Sequence, residues 1–191
     1  TGYLNVPKVL ELALNDGVDP LTGRRIGPAT GDPRTFADFE ALYTAFERQL
    51  DWVVDLKVRV NNRIERMYAV HSPAPFLSVV INDCIQQGRD YYAGGPRYNT
   101  NYIQCCGIGT VTDSLSAIRT HVFEERSCTL ERLLGALAAD FAGEETLRLQ
   151  LRNRALRALR ARIGLYVEGA ARTQCECAAS QHHGCADGEE G

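Results

Sequence analysis

Apolar residues recur at spacings of three and four along Phe36, Phe39, Tyr43, Phe46, Leu50, Val53, Val60, Ile64 and Met67. That is the period of one helical face, and it predicts that Thr35–Tyr68 is the longest element, capped by Thr35 or Asp32. Only Lys57 interrupts the seam, while Glu47, Arg48, Asp51, Asp55, Arg59, Arg63, Glu65 and Arg66 supply a solvated face. Such a stripe is expected to be core. Its aromatics are too bulky for the tight pairing of a coiled coil. The run His71-Ser72-Pro73-Ala74-Pro75 ends the helix, because a residue before proline is pushed out of the helical region.

Shorter helical stripes flank it. Val6, Val9, Leu10 and Leu14 share one face, with Asn5 as N-cap, Pro7 in the first turn and Asn15-Asp16-Gly17 as the stop. Asp19–Pro33 is dense in glycine and proline and reads as an ordered, irregular connection. Phe76–Gln87 predicts a second helix with Phe76, Leu77, Val80, Ile81, Cys84 and Ile85 inward, stopped by Gly88. Thr129 is placed to cap a helix carrying Leu130, Leu133, Leu134 and Leu137. That helix ends near Phe141-Ala142-Gly143, and another restarts over Glu144–Asn153.

The period changes in one place. Tyr98–Cys106 is rich in Tyr, Ile, Thr and Cys, and it lies between Gly94-Gly95-Pro96 and Gly107-Ile108-Gly109, as a short buried strand does. Alternation sends Tyr98, Thr100, Tyr102 and Gln104 to one face and Asn99, Asn101, Ile103 and Cys105 to the other. Thr110 or Thr112 then caps a helix with Leu115, Ile118, Val122 and Phe123 inward. Strand, glycine turn and capped helix form the unit of an α/β sheet or barrel, where ligands collect at the carboxyl ends of strands. The glycine turn is too short for a dinucleotide fingerprint, and no phosphate-loop lysine follows it.

Composition narrows the class. At 191 residues and 45% apolar, the chain is long enough for one domain with a real core. A net charge of −3 provides no basic field for nucleic acid or anionic membrane. With no run of 18 apolar residues and no signal peptide, the expected setting is soluble and cytoplasmic. Thr1 in place of methionine hints that the chain begins inside a longer protein. Cys84, Cys105, Cys106 and Cys128 lack metal-ligand spacing and are expected to be reduced, buried thiols. From Arg154 the character changes to an Arg/Ala/Leu run and then to TQCECAASQHHGCADGEEG. Cys175, Cys177, His182, His183 and Cys185 are zinc-type ligands. Yet Cys-x-Cys is tighter than the usual spacing, and nothing apolar surrounds the cluster, so no metal is assigned. Residues 154–191 are expected to be a divergent tail, helical at first and disordered beyond about Gly169.

The wording of the segments goes further than their periods. TGYLN-x-PKVLELALNDG, L-x-LNDG-x-DP-x-TG-x-x-IG-x-x-TGDP, IERMYA-x-x-x-PAPFLS, CI-x-x-G-x-D-x-x-x-GG-x-RYN and GIGT-x-TDSL-x-AI-x-x-HVF together resemble the glycyl radical enzymes. This is the family of pyruvate formate-lyase and the radical dehydratases. The resemblance covers residues 1–153 and implies an α/β, predominantly helical fragment of a ten-stranded barrel, with Tyr98–Cys106 as one of its strands. It implies a radical dehydratase acting on a small hydroxylated substrate, and it puts Tyr3 in the substrate pocket, where a phenol can hold a hydroxyl or carboxylate. From the residue pattern alone, Tyr3 is equally a barrel-packing aromatic. No residue of this chain is assigned as catalytic. By resemblance, the Gly-Cys-Val/Ile-Glu loop falls just before Thr1 and the radical-bearing glycine loop far beyond residue 191.

The family implies no bound cofactor other than a glycyl radical, installed by an iron–sulfur activating enzyme that uses S-adenosylmethionine. The implied partners are that activase, a small-molecule substrate and a second copy of the full-length chain. Alternatives within the family are formate acetyltransferase, glycerol- or choline-type lyase and decarboxylase chemistry. An alternative of another class is a non-catalytic helical protein that binds through the Phe36–Met67 seam.

Overall fold

The computed structural model describes residues 2–152, which fall into two units, one up to Val111 and the other from Thr112 onward. The first unit opens with a strand that helical periodicity concealed, β1 (Gly2–Asn5), running directly into α1 (Val6–Ala13). Asn5 is extended, and its side chain accepts a hydrogen bond from the Lys8 amide at 3.4 Å, so it caps α1 as expected, with Pro7 in the first turn. Val6, Val9, Leu10, Leu12 and Ala13 are buried along this short helix.

A clasped loop follows. Asp19 is almost fully buried and accepts from Lys8 Nζ at 2.6 Å, Thr22 Oγ1 at 2.6 Å and the Leu21 amide at 3.3 Å. The Lys8 ammonium first, and the Thr22 hydroxyl second, hold its pKa at about 2 against burial, which pulls the other way. Asp16 does similar work nearer the helix end. It accepts from Arg25 Nη2 at 2.9 Å and from the Thr30 and Gly31 amides at 2.7 Å each, and the Arg25 guanidinium foremost keeps its carboxyl below the ordinary range. The sequence read NDG-x-DP-x-TG as a turn-rich connection. Its aspartates are what give that connection a single shape.

The longest element is α2 (Phe39–His71). Its N-cap is Asp38, which accepts from the Ala41 amide at 2.8 Å, and not Thr35 or Asp32. Asp32 instead caps a separate 3-10 turn, Pro33–Thr35. The expected core seam is only half realised. Leu42, Ala45, Phe46 and Gln49 are buried, but Val60, Ile64 and Met67 are exposed. Gln49 has no solvent exposure and donates from Nε2 to the Pro28 carbonyl at 2.7 Å and to Thr30 Oγ1 at 3.2 Å, tying the loop to α2.

The single helix expected over Phe76–Gln87 is two, α3 (Pro75–Ser78) and α4 (Asn82–Gln87), and Phe76 is exposed rather than inward. The break has a side-chain cause: Ser78 Oγ bonds both the Ala74 carbonyl and Asp90 and also receives the Tyr91 amide. Asp90 collects the Ala74 amide at 2.8 Å as well. This side-chain hub competes with helix continuation. Gly88 stops α4 in the left-handed region as expected. The strand expected over Tyr98–Cys106 is confined to β2 (Ile103–Cys106), and residues 98–102 are irregular.

The second unit holds most of α5 (Ile108–Ile118), a π-helical turn over Arg119–Glu124, α6 (Leu130–Ala138) and helical residues 145–152. Because α5 begins at Ile108, neither Thr110 nor Thr112 caps it. Thr129 does cap α6, accepting from the Arg132 amide at 3.2 Å. Leu130, Leu133, Ala136 and Leu147 are buried in this unit. His121 is buried in the π turn, with Nδ1 3.1 Å from Ser127 Oγ. The described residues contain one two-stranded sheet, and a ten-stranded barrel is not seen among them. No helix of the described residues is long and apolar enough to cross a membrane. The tail 154–191, with its Cys/His cluster, lies outside the described residues.

Candidate functional site

β1 and β2 pair in parallel, with Gly2 opposite Ile103, Tyr3 opposite Gln104, Leu4 opposite Cys105 and Asn5 opposite Cys106. A further bond runs from the Gly2 amide to the Tyr102 carbonyl at 3.0 Å. Each strand turns straight into a helix at its carboxyl end. For β1 the turn is made by the Asn5 cap. For β2 it is made by Gly107, whose φ of 79° is left-handed and whose missing Cβ leaves room for the Pro7 ring, 2.5 Å from where that atom would sit. A side chain at 107 would push the two strand ends apart.

Alternation gives the sheet two unlike faces. Gly2 and Leu4 point one way. Leu4 is buried, and the Lys57 side chain of α2 lies where a Cβ on Gly2 would go, so this face is covered along β1. Tyr3 and Asn5 point the other way, beside Gln104 and Cys106. Tyr3 is 71% exposed, and Gln104 and Cys106 are exposed too. Lys57, the one break in the apolar seam of α2, thus has a location: it closes the back of β1.

The structure places the predicted residue Tyr3 on the open face and at mid-strand. The hydrogen bonds of Asp16, Asp19, Ser78 and Asp90 all go to other residues than those of this face. Sequence reading set Gln104 on a face of its strand but did not bring it beside Tyr3. The missing signal was the Gly2–Asn5 strand, absorbed into the helix that Asn5 starts. The thiols divide. Cys84 and Cys128 are buried as expected, and burial foremost pushes both thiols up, so they are inert. Cys105 and Cys106 are exposed, against expectation: the cover over Gly2 and Leu4 does not extend across to Cys105 on β2, and Cys106 lies on the open face. Among the described residues, no three His, Cys, Asp or Glu side chains converge as a metal site.

Residues 1–156 match the protein family described as pyruvate formate lyase-like. The chain belongs to the pyruvate formate lyase-like family. Its curated relatives include the trans-4-hydroxy-L-proline dehydratase of Clostridioides difficile, 50% identical over 147 residues, or 77% of this chain and 19% of that protein. Among solved structures, this pyruvate formate lyase-like chain superposes on the C. difficile hydroxyproline dehydratase with trans-4-hydroxy-L-proline bound. The TM-score is 0.72 and the identity 49%, over 75% of this chain and 18% of that one. A glycyl radical enzyme from Archaeoglobus fulgidus is similar at TM-score 0.70 and 36% identity, over 78% and 18%. The chain thus spans under a fifth of the length of the curated relatives it matches.

Proposed function

We propose that this chain is a segment of a glycyl radical dehydratase that removes water from a small hydroxylated substrate, with trans-4-hydroxy-L-proline as the first candidate. The observation that carries the reading is the 50% identity to the C. difficile dehydratase, sustained over 147 residues. In this reading β1 and β2 are neighbouring strands of a ten-stranded barrel, and their open face, with Tyr3, looks onto the substrate. The whole enzyme is a cytoplasmic homodimer activated by an iron–sulfur enzyme that uses S-adenosylmethionine.

The glycyl radical supplies hydrogen-abstracting chemistry to this family. None of the four described cysteines suits the thiyl role: Cys84 and Cys128 are buried thiols, and Cys105 and Cys106 have no Glu beside them in sequence. The work of this segment is to bind, to orient and to keep water out. Those effects matter in hydrogen transfer, which requires reacting atoms near contact. The phenol of Tyr3 can hold a substrate oxygen by a hydrogen bond.

A chimera tests the reading. Residues 2–152 replace the corresponding segment of the C. difficile dehydratase, and the protein is activated anaerobically. The expected result is a glycyl doublet by electron paramagnetic resonance together with turnover of trans-4-hydroxy-L-proline, with KM raised several-fold in Tyr3→Ala. Full radical content with turnover of glycerol but not of trans-4-hydroxy-L-proline would reassign the substrate.

A further inference from the structure

We propose that Gln104 is a specificity-determining residue in the same pocket as Tyr3, its side-chain amide holding the hydroxyl group of the substrate; this rests on the reading of Tyr3 given above. The two residues are direct partners in the parallel register, so their side chains leave the sheet on the same face from strands about 4.8 Å apart. That is close enough for one small ligand to meet both. On the reverse face β1 is covered, with Leu4 buried and the Lys57 side chain against Gly2, whereas Tyr3 and Gln104 are both exposed on the side a ligand can approach. Among the described residues, neither the Tyr3 phenol nor the Gln104 amide has a hydrogen-bond partner.

The chemistry of the face selects the group it holds. Tyr3, Asn5, Gln104 and Cys106 are all uncharged, and the nearby ammonium of Lys57 lies behind the sheet. A carboxylate taken from water into such a place lacks a cation to offset its desolvation. A hydroxyl needs none. It has one donor and two acceptor sites, and a carboxamide offers both complements in one planar group. Asn5 is already committed to capping α1, which leaves Gln104 as the free amide. A site built to hydrogen-bond a hydroxyl discriminates strongly against the analogue that lacks it, because its own polar groups are then left unpaired.

The experiment uses the activated chimera and two ligands, trans-4-hydroxy-L-proline as substrate and L-proline, which lacks the hydroxyl, as competitive inhibitor. Gln104→Ala is expected to raise KM for the substrate by about 10-fold while Ki for L-proline stays within about 2-fold and the glycyl signal is unchanged. Gln104→Asn keeps the amide on a shorter stem and should recover part of the loss. Gln104→Met has a similar length and serves if the alanine variant does not accumulate. It removes both the amide donor and the amide acceptor without adding a charge, and it should raise KM in the same selective way. If KM and Ki rise together, or neither moves, Gln104 does not read the hydroxyl and the inference is overturned. Tyr3→Ala raising both constants in that case would leave the proposed function standing. A fully radical-bearing chimera that does not turn over trans-4-hydroxy-L-proline overturns the proposed function and this inference with it.

Discussion

The two halves of α2 carry one apolar seam and meet two different fates. Over Leu42–Gln49 the seam is closed by α1 and by the loop that Asp16 and Asp19 shape, and Leu42 has no exposure at all. Over Val54–Met67 the same kind of residue recurs at the same spacing, yet Ile64 is 43% exposed. The difference is not in the helix. Helical periodicity records which side of a helix is to be covered, whereas burial depends on something arriving there. In the first half, the covering elements lie within the described residues. The second half is apolar to the same degree in a chain spanning under a fifth of the length of its relatives.

Substitutions on the two halves put that contrast in energetic terms. Leu42→Ala should cost about 2–5 kcal/mol, the range for emptying a fully packed leucine site. Ile64→Ala should cost below about 1 kcal/mol in the same chain. Urea denaturation of the two variants reads the difference, and equal costs would show that the seam is buried along its whole length. Gln49 sharpens the contrast within the closed half. Gln49→Leu removes the amide from the Pro28 carbonyl and the Thr30 hydroxyl, at about 1–3 kcal/mol. Faster tryptic cleavage at Arg24 and Arg25 should accompany the loss, because the loop is then released from α2. Unchanged cleavage would mean that the aspartate clasps alone hold it.

Acid probes those clasps. Asp19 has a folded pKa of about 2 against an ordinary value of 3.8, so it binds its proton more readily in the unfolded chain. Its contribution to stability is full above about pH 4 and is lost as the pH falls toward 2. Thermal unfolding between those pH values should therefore be less acid-sensitive in Asp19→Asn than in the parent. An identical slope would place the acid response elsewhere, with Asp16 as the next group to test.

Much of this was legible in the residues. Asn5 and Thr129 announced their helices because a cap acts locally, through one side chain and an amide three residues on. Gly88 announced a stop for the same reason. The start of α2 was misplaced by a few residues because Asp32, Thr35 and Asp38 are all competent caps, and the proline at 33 diverts Asp32 into a turn of its own. Phe76–Gln87 read as one helix because its apolar spacing is helical throughout. The Ser78–Asp90 contacts that break it join residues twelve apart, and no local rule sees them. Tyr3 was found through resemblance. Its neighbour Gln104 was not, because parallel pairing leaves no turn in the sequence to give away its register.

That pairing has a consequence for the order in which the molecule is made. Gly2 and Ile103 are about a hundred residues apart, and no hairpin brings them together. Loop closure over such a distance is not prohibitive, since each doubling of loop length adds only about 0.6 kcal/mol. It is slow, however, because the entropy is lost before any contact repays it. Helical turns and the Lys8–Asp19 clasp join residues at most eleven apart and can form early. The strands must wait until α2 has delivered the distant end. The face on which Tyr3 and Gln104 meet is then a late product of folding, assembled only after the helices behind it are in place.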